Sequence, residues 1–169
     1  LISIESVRGS AFADSLTGNS GSNRFRGQAG NDTFNGGGGS DWASYVNDIA
    51  GVTVNLAGGS AIDGWGSTDT LLSIENADGS NFNDTLRGDS GNNQLLGEGG
   101  NDTLIGADSS GGGAGDDTLV GGVSGGFEGD RDKADYSAAT GPIAFHMVGG
   151  DAAVNASTVT RVDCVGTDT

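Results

Sequence analysis

Carboxylates recur in this chain at a fixed interval. Asp14, Asn23, Asp32 and Asp41 stand nine residues apart, and Asp84, Asn93 and Asp102 repeat the interval further on. Two places after each comes Leu16, Phe25, Phe34 or Ala43 in the first run, and Leu86, Leu95 or Leu104 in the second. Glycines crowd the approach to each acid, and glycine turns leave backbone carbonyls unscreened by side chains. Carboxylate and carbonyl oxygens are hard donors. Several together suit Ca2+, which takes about six to eight oxygens at about 2.3–2.6 Å, better than Mg2+, which prefers tight octahedra and keeps its waters. Zn2+ is poorly served, because His146 and Cys164, the only residues of their kinds, are distant in sequence.

Written in nines, the first run reads GSAFADSLT, GNSGSNRFR, GQAGNDTFN and GGGGSDWAS from Gly9, and the second reads GSNFNDTLR, GDSGNNQLL and GEGGNDTLI from Gly79. A glycine-rich insert near 106–126 breaks the phase. GGAGDDTLV (Gly112 to Val120) restores it with Asp117, and a looser unit, GDRDKADY, brings Asp132. Glycine opens each nine at Gly18, Gly27, Gly36, Gly88, Gly97 and Gly112, and returns at the fourth place at Gly30, Gly39, Gly100 and Gly115. These glycines supply the candidate carbonyl donors, and the acids and asparagines supply the candidate side-chain donors.

Such donors need elements to hold them. Glycine density and the lack of a 3.6-residue apolar stripe exclude helices. A disordered Gly/Ser linker gives no reason for an apolar residue at every ninth place. What remains is a six-residue turn followed by a three-residue strand, whose middle residue faces one side and its neighbours the other. Two nines then make one turn of a flattened parallel coil, so Asp14 stacks over Asp32, Asn23 over Asp41 and Asp84 over Asp102. Stacked strands lie about 4.8 Å apart, where bare carboxylates repel. One small apolar residue per nine does not offset ordering costs of about 1–2 kcal/mol per residue. The expectation is therefore a chain largely unfolded in chelator that gains β structure with calcium, each ion bound to the native state alone adding about 2.7 kcal/mol at 100-fold saturation.

These units resemble the RTX, or haemolysin-type, calcium-binding nonapeptide G-G-x-G-x-D-x-U-x, where U is apolar. GGAGDDTLV fits every fixed place, GGGGSDWAS fits with a small U, and GQAGNDTFN and GEGGNDTLI each miss only the second glycine. The resemblance implies an all-β, right-handed parallel β-roll with several Ca2+ ions between successive turns. It also implies bacterial type I export, with folding triggered outside the cell. Asn23 and Asn93 depart from the pattern with a neutral oxygen and a weaker site, and GSAFADSLT and GSNFNDTLR lack the second and third turn glycines, as caps would.

Composition bounds the rest. The chain has 169 residues, 34 of them glycine, and 23 Asp and Glu against 7 Lys and Arg give a net charge of −16. That balance argues against nucleic acid or an anionic membrane as partner and for counter-cations. No apolar run reaches the length of a membrane span and no secretory h-region opens the chain. Cys164 has no second cysteine to pair with and reads as a small buried apolar residue.

A longer repeat encloses the short one. Residues 1–36 align with 71–106 at a constant offset, 19 of 36 identical, and DWASY (Asp41 to Tyr45) matches DKADY (Asp132 to Tyr136) with 21 extra residues before it. This suggests two modules, 1–70 and 71–169. GTDT at the end matches STDT (Ser67 to Thr70), which runs directly into LLSIE, so a fragment of a longer tandem array is expected. GVTVNLAGG and GPIAFHMVGG between the ladders read as additional short strands, extending the coil or covering it, and His146 in the second reads as a strand residue. Trp42, Trp65, Tyr45 and Tyr136 read as cover for the coil's wall or end, with a sugar-stacking surface as the lesser alternative. The sequons at Asn31, Asn83 and Asn101 fall out of the nonapeptide itself and would collide with the turns.

No H-E-x-x-H is present, G-x-S-x-G occurs only as GVSGG (Gly122 to Gly126) inside the glycine-rich insert and not as a nucleophile elbow, and the stacked carboxylates read as ligands, so no catalysis is expected. Two functions fit: a calcium-stabilised structural module of a secreted, repetitive protein (fibre, surface layer or adhesin) that associates with itself or with neighbouring modules, or the folding and secretion domain of an exported protease, lipase or epimerase.

Overall fold

The computed structural model describes residues 4–106, together with the backbone of residues 118–120 and 133–134. In chain order the strands are β1 (Ser6–Arg8), β2 (Ser15–Thr17), β3 (Arg24–Arg26), β4 (Thr33–Asn35), β5 (Trp42–Ser44), β6 (Thr53–Asn55), β7 (Ser60–Ile62), β8 (Thr68–Leu72), β9 (Asn76–Asp78), β10 (Thr85–Arg87), β11 (Gln94–Leu96), β12 (Thr103–Ile105), β13 (Thr118–Val120) and β14 (Lys133–Ala134). Within the nonapeptides each strand occupies the seventh to ninth places. Among the described residues no helix is long and apolar enough to cross a membrane.

Within the nonapeptide ladders successive strands alternate between two facing sheets, which is what a six-residue turn between three-residue strands dictates. One sheet runs β1-β3-β5-β9-β11-β13, all parallel. The other runs β14-β12-β10-β6-β7-β8-β4-β2, parallel except where β7 lies antiparallel between β6 and β8. The register is the expected one: Leu16 pairs with Phe34, Val7 with Phe25 and Leu86 with Leu104. The chain is thus an all-β parallel β-roll.

The interior is one side chain deep from each wall. Phe25, Phe34, Ala43, Leu86, Leu95 and Leu104, all at the eighth place, are buried, joined by Val54, Ala61, Leu71 and Ala77. Val7 and Leu16 are partly buried against this cluster. Phe25 and Phe34 stack across the two walls with ring centroids 5.8 Å apart.

GVTVNLAGG forms β6, and it extends the coil by pairing in parallel with β10. Residues 45–72 thereby insert an antiparallel hairpin into the eight-stranded sheet while the opposite sheet steps directly from β5 to β9. The boundary between residues 70 and 71 falls within β8, and both sheets continue across it. Beside β11 it is β13 that takes the place β5 holds beside β3, whereas β14 joins β12 on the other wall. Tyr45 is buried, Trp42 lies on β5 with the Arg24 guanidinium 4.7 Å from its ring, and Trp65 is exposed. GPIAFHMVGG with His146, Tyr136, Cys164 and the insert's flanks lie outside the described residues.

Candidate metal centre

The six-residue turns line the two edges of the flattened coil. Along one edge stand Asp14, Asp32, Asp84 and Asp102, each immediately before a strand of the eight-stranded sheet. Asn23, Asp41 and Asn93 stand along the other. Asn23, Asp32, Asp41, Asp84, Asn93 and Asp102 are buried, whereas Asp14 is only partly so.

Each aspartate divides its oxygens between two tasks. In Asp32, Asp41, Asp84 and Asp102 one oxygen reaches the coil before it and accepts a backbone N–H. The Asp14 N–H donates to Asp32 Oδ1 at 2.8 Å, Asn23 N–H to Asp41 Oδ1 at 2.7 Å, and Asp84 N–H to Asp102 Oδ1 at 2.9 Å. The second oxygen turns back into its own turn. Asp14 Oδ2 and Asp84 Oδ2 there accept the Ser10 and Ser80 N–H, both at 2.6 Å. Asp32 Oδ2 and Asp41 Oδ2 accept nothing, although both side chains are 1% exposed or less.

The opening glycine of each turn makes room for that second oxygen. A Cβ on Gly9 would stand 2.5 Å from Asp14 Oδ2 and 2.9 Å from the carbonyl oxygen of Gly27 on the next coil. The same pair of oxygens, side chain and next-coil carbonyl, faces Gly18 (Asn23 and Gly36), Gly79 (Asp84 and Gly97) and Gly88 (Asn93 and Gly106), while Gly36 faces Asp41 and the Ser73 carbonyl. Gly27 faces Asp32. Carboxylate and carbonyl oxygens therefore converge where no side chain stands. The fourth-place glycines Gly30, Gly39 and Gly100 have φ of 117°, 108° and 114° and sit on the backbone of the preceding coil. Asp117, Asp132, Gly112 and Gly115 lie outside the described residues.

The asparagines use their extra N–H. Asn23 Nδ2 donates to the Ile4 carbonyl at 3.3 Å and Asn93 Nδ2 to the Glu75 carbonyl at 2.8 Å, so both tie adjacent coils directly. Their Oδ1 atoms accept from their own turns, at Asn19 and Asp89.

Sequence reasoning missed Asp69. The Asp32 N–H donates to Asp69 Oδ1, 37 positions further on, at 2.9 Å, the same bond that joins Asp14 to Asp32. The signal was in GWGSTDTLL (Gly64 to Leu72): glycine opens it, the acid is sixth, and Asp69-Thr70-Leu71 repeats Asp102-Thr103-Leu104. Glu75 was missed as well, and its Oε2 accepts the Asp41 N–H at 2.8 Å where a later aspartate would have done so.

Electrostatics oppose this arrangement without a counter-charge. Burial raises the Asp41 and Asp84 carboxyls above the usual range, against the backbone N–H bonds that lower them. Burial raises Asp32 too, with Asp14 and Asp63 adding repulsion. Burial pushes Asp69 up to about 7, with repulsion from Asp32 and Asp63. Among the described residues, no three Asp, Glu, His or Cys side chains gather closely enough to hold a metal by themselves. The donor set fits a hard cation that accepts backbone carbonyls, such as Ca2+, and does not fit one that needs His or Cys.

A family model described as the RTX calcium-binding nonapeptide repeat matches the chain in four copies, over residues 8–43, 78–110 and 112–124. A comparison with curated proteins gives no match.

Proposed function

We propose that this chain, which carries RTX calcium-binding nonapeptide repeats, is a non-catalytic structural module of a secreted, repetitive extracellular protein, of the fibre, surface-layer or adhesin kind. The observation that carries the reading is the pair of buried, unpartnered oxygens, Asp32 Oδ2 and Asp41 Oδ2, each turned toward an opening glycine beside which no side chain stands. Bound there, Ca2+ supplies the positive charge and the several-fold coordination that the polypeptide lacks. Asp14, Asp32, Asp41, Asp84 and Asp102 hold the side-chain oxygens in place, and the first-place glycines Gly18, Gly27, Gly36, Gly88 and Gly97 keep the cradle open. Asn23 and Asn93 offer neutral oxygens at weaker positions, and Asp117 and Asp132, with Gly112 and Gly115, continue the pattern in the second module. Gly30, Gly39 and Gly100 let the turns seat on the coil below.

Two modules, 1–70 and 71–169, related by the long internal repeat, support a modular, end-to-end assembly, since coils of this kind bury their faces by stacking. The resemblance to the RTX nonapeptide supports export by a type I route, with folding delayed until calcium is met outside the cell.

Far-UV circular dichroism tests the reading. The chain should be largely without β structure in EDTA and gain it at millimolar Ca2+, and a spectrum indifferent to both would defeat it. Electron micrographs of native material should show filaments or lattices that chelator dissolves. Discrete particles carrying a catalytic domain would indicate the exported-enzyme appendage instead.

A further inference from the structure

We propose that the hairpin inserted between the two ladders builds a further divalent-cation site, with Asp63 and Asp69 as its carboxylates and Asp32 as its link to the ladder. Neither Asp63 nor Asp69 lies within the residues matched to the nonapeptide family. The inference rests on the reading that the chain takes up Ca2+, and it adds a position that the repeats do not supply.

The geometry begins with Asp63, which is 2% exposed. Its Oδ1 accepts the N–H groups of Trp65 at 3.0 Å and Ser67 at 2.6 Å, closing the turn between β7 and β8. Its Oδ2 is buried and has no partner. Asp69, on β8, gives Oδ1 to the Asp32 N–H and receives the Tyr45 hydroxyl on Oδ2 at 3.2 Å. Asp32 Oδ2, in the turn before β4, is likewise buried without a partner. Asp48 closes the group from the loop after β5, its Oδ2 accepting the Gly64 N–H at 2.8 Å.

Asp63 is the common neighbour. It repels Asp32, Asp48 and Asp69 alike, and no positive group figures among the influences on any of the three. Burying several carboxylates together costs far more than a turn's hydrogen bonds return unless protons or a cation neutralise them. Asp32 Oδ2 lies against Gly27 in its own turn, so the oxygens the hairpin offers an ion are the unpartnered Asp63 Oδ2 and Asp69 Oδ2, which takes only the Tyr45 hydroxyl at 3.2 Å. No three side chains close on one point, so backbone carbonyls complete the shell, as at the nonapeptide turns. A hard divalent ion of the Ca2+ class is the ligand that accepts such a set.

Two readouts test this on the whole chain. Calcium per chain, counted by atomic emission after dialysis at saturation, should fall by one ion in Asp63→Asn. Asp102→Asn, in a nonapeptide, should also lose one ion and serves as the control. Terbium replaces calcium as a luminescent probe, excited through tryptophan. Trp65→Phe should lower the sensitised emission with the ion count unchanged, and Asp63→Asn should lower it too, whereas Asp102→Asn should not. If Asp102→Asn loses an ion while Asp63→Asn keeps the full count, the hairpin carboxylates are neutralised by protons and this inference is overturned with the functional reading intact. Emission unmoved by Trp65→Phe overturns it as well. A wild-type chain that takes up no calcium removes both.

Discussion

Gln28 and Glu98 stand at the second turn position, where GGGGSDWAS has Gly37, and all three run at positive φ, 74°, 69° and 93°. A side chain there costs about 1–2 kcal/mol against glycine. Glu98→Gly should therefore raise stability by about 1 kcal/mol once glycine's extra freedom in the unfolded chain is counted. Gln28→Gly should gain less, because the Gln28 amide donates to the Gly9 carbonyl and accepts from Arg8 at 2.6 Å. Denaturant titration of both variants in saturating calcium checks the ranking. The opposite change fails where glycine is already in place. A Cβ at Gly30 would stand 2.6 Å from the Phe12 carbonyl carbon, on a backbone at φ 117°, so Gly30→Ala should cost upwards of about 2 kcal/mol. A neutral Gly30→Ala in the same titration would show that the turns are free to move off one another.

At the scale of the strand, three residues place one side chain inside, and nothing behind it fills the space it leaves. Phe34 is fully buried and stacks on Phe25. Phe34→Ala should cost about 3–5 kcal/mol, and on the proposed coupling of folding to ion binding it should appear as a higher calcium midpoint in circular dichroism. Leu72, at the ninth place of GWGSTDTLL and 47% exposed, should tolerate alanine with little change. The same strands explain what could be read from the sequence. Period, facing and stacking followed from Asp, apolar residue and glycine at fixed places, because each coil repeats the same local problem. The hairpin did not follow. Asp69 comes 37 residues after its ladder neighbour where other steps take 18, so a reading by offset steps over it. Asp48 and Asp63 belong to no repeat at all, and their meeting depends on β7 running antiparallel, which no short-range pattern specifies.

For the whole molecule the decisive quantity is charge. A chain at −16 folds by burying a share of its own carboxylates, and on the proposed function protons and calcium compete to neutralise them. Burial above all pushes Asp48 and Asp69 up to about 7 from an ordinary 3.8. A raised carboxyl holds its proton longer in the fold than in the open chain. In chelator its contribution is fully present below about pH 4 and lost as the pH climbs through about 7. The ion-free chain should accordingly show more β structure at about pH 5 than at about pH 7.5. With calcium the slope reverses, because only the ionised carboxylate is a ligand and rising pH frees more of them. The calcium midpoint should therefore fall as the pH rises across the same window, with protons released on binding. Circular dichroism along both pH series, with and without chelator, reads the two slopes side by side. β structure that falls with rising pH at fixed calcium, as it does in chelator, would mean that the buried carboxylates are not where calcium acts.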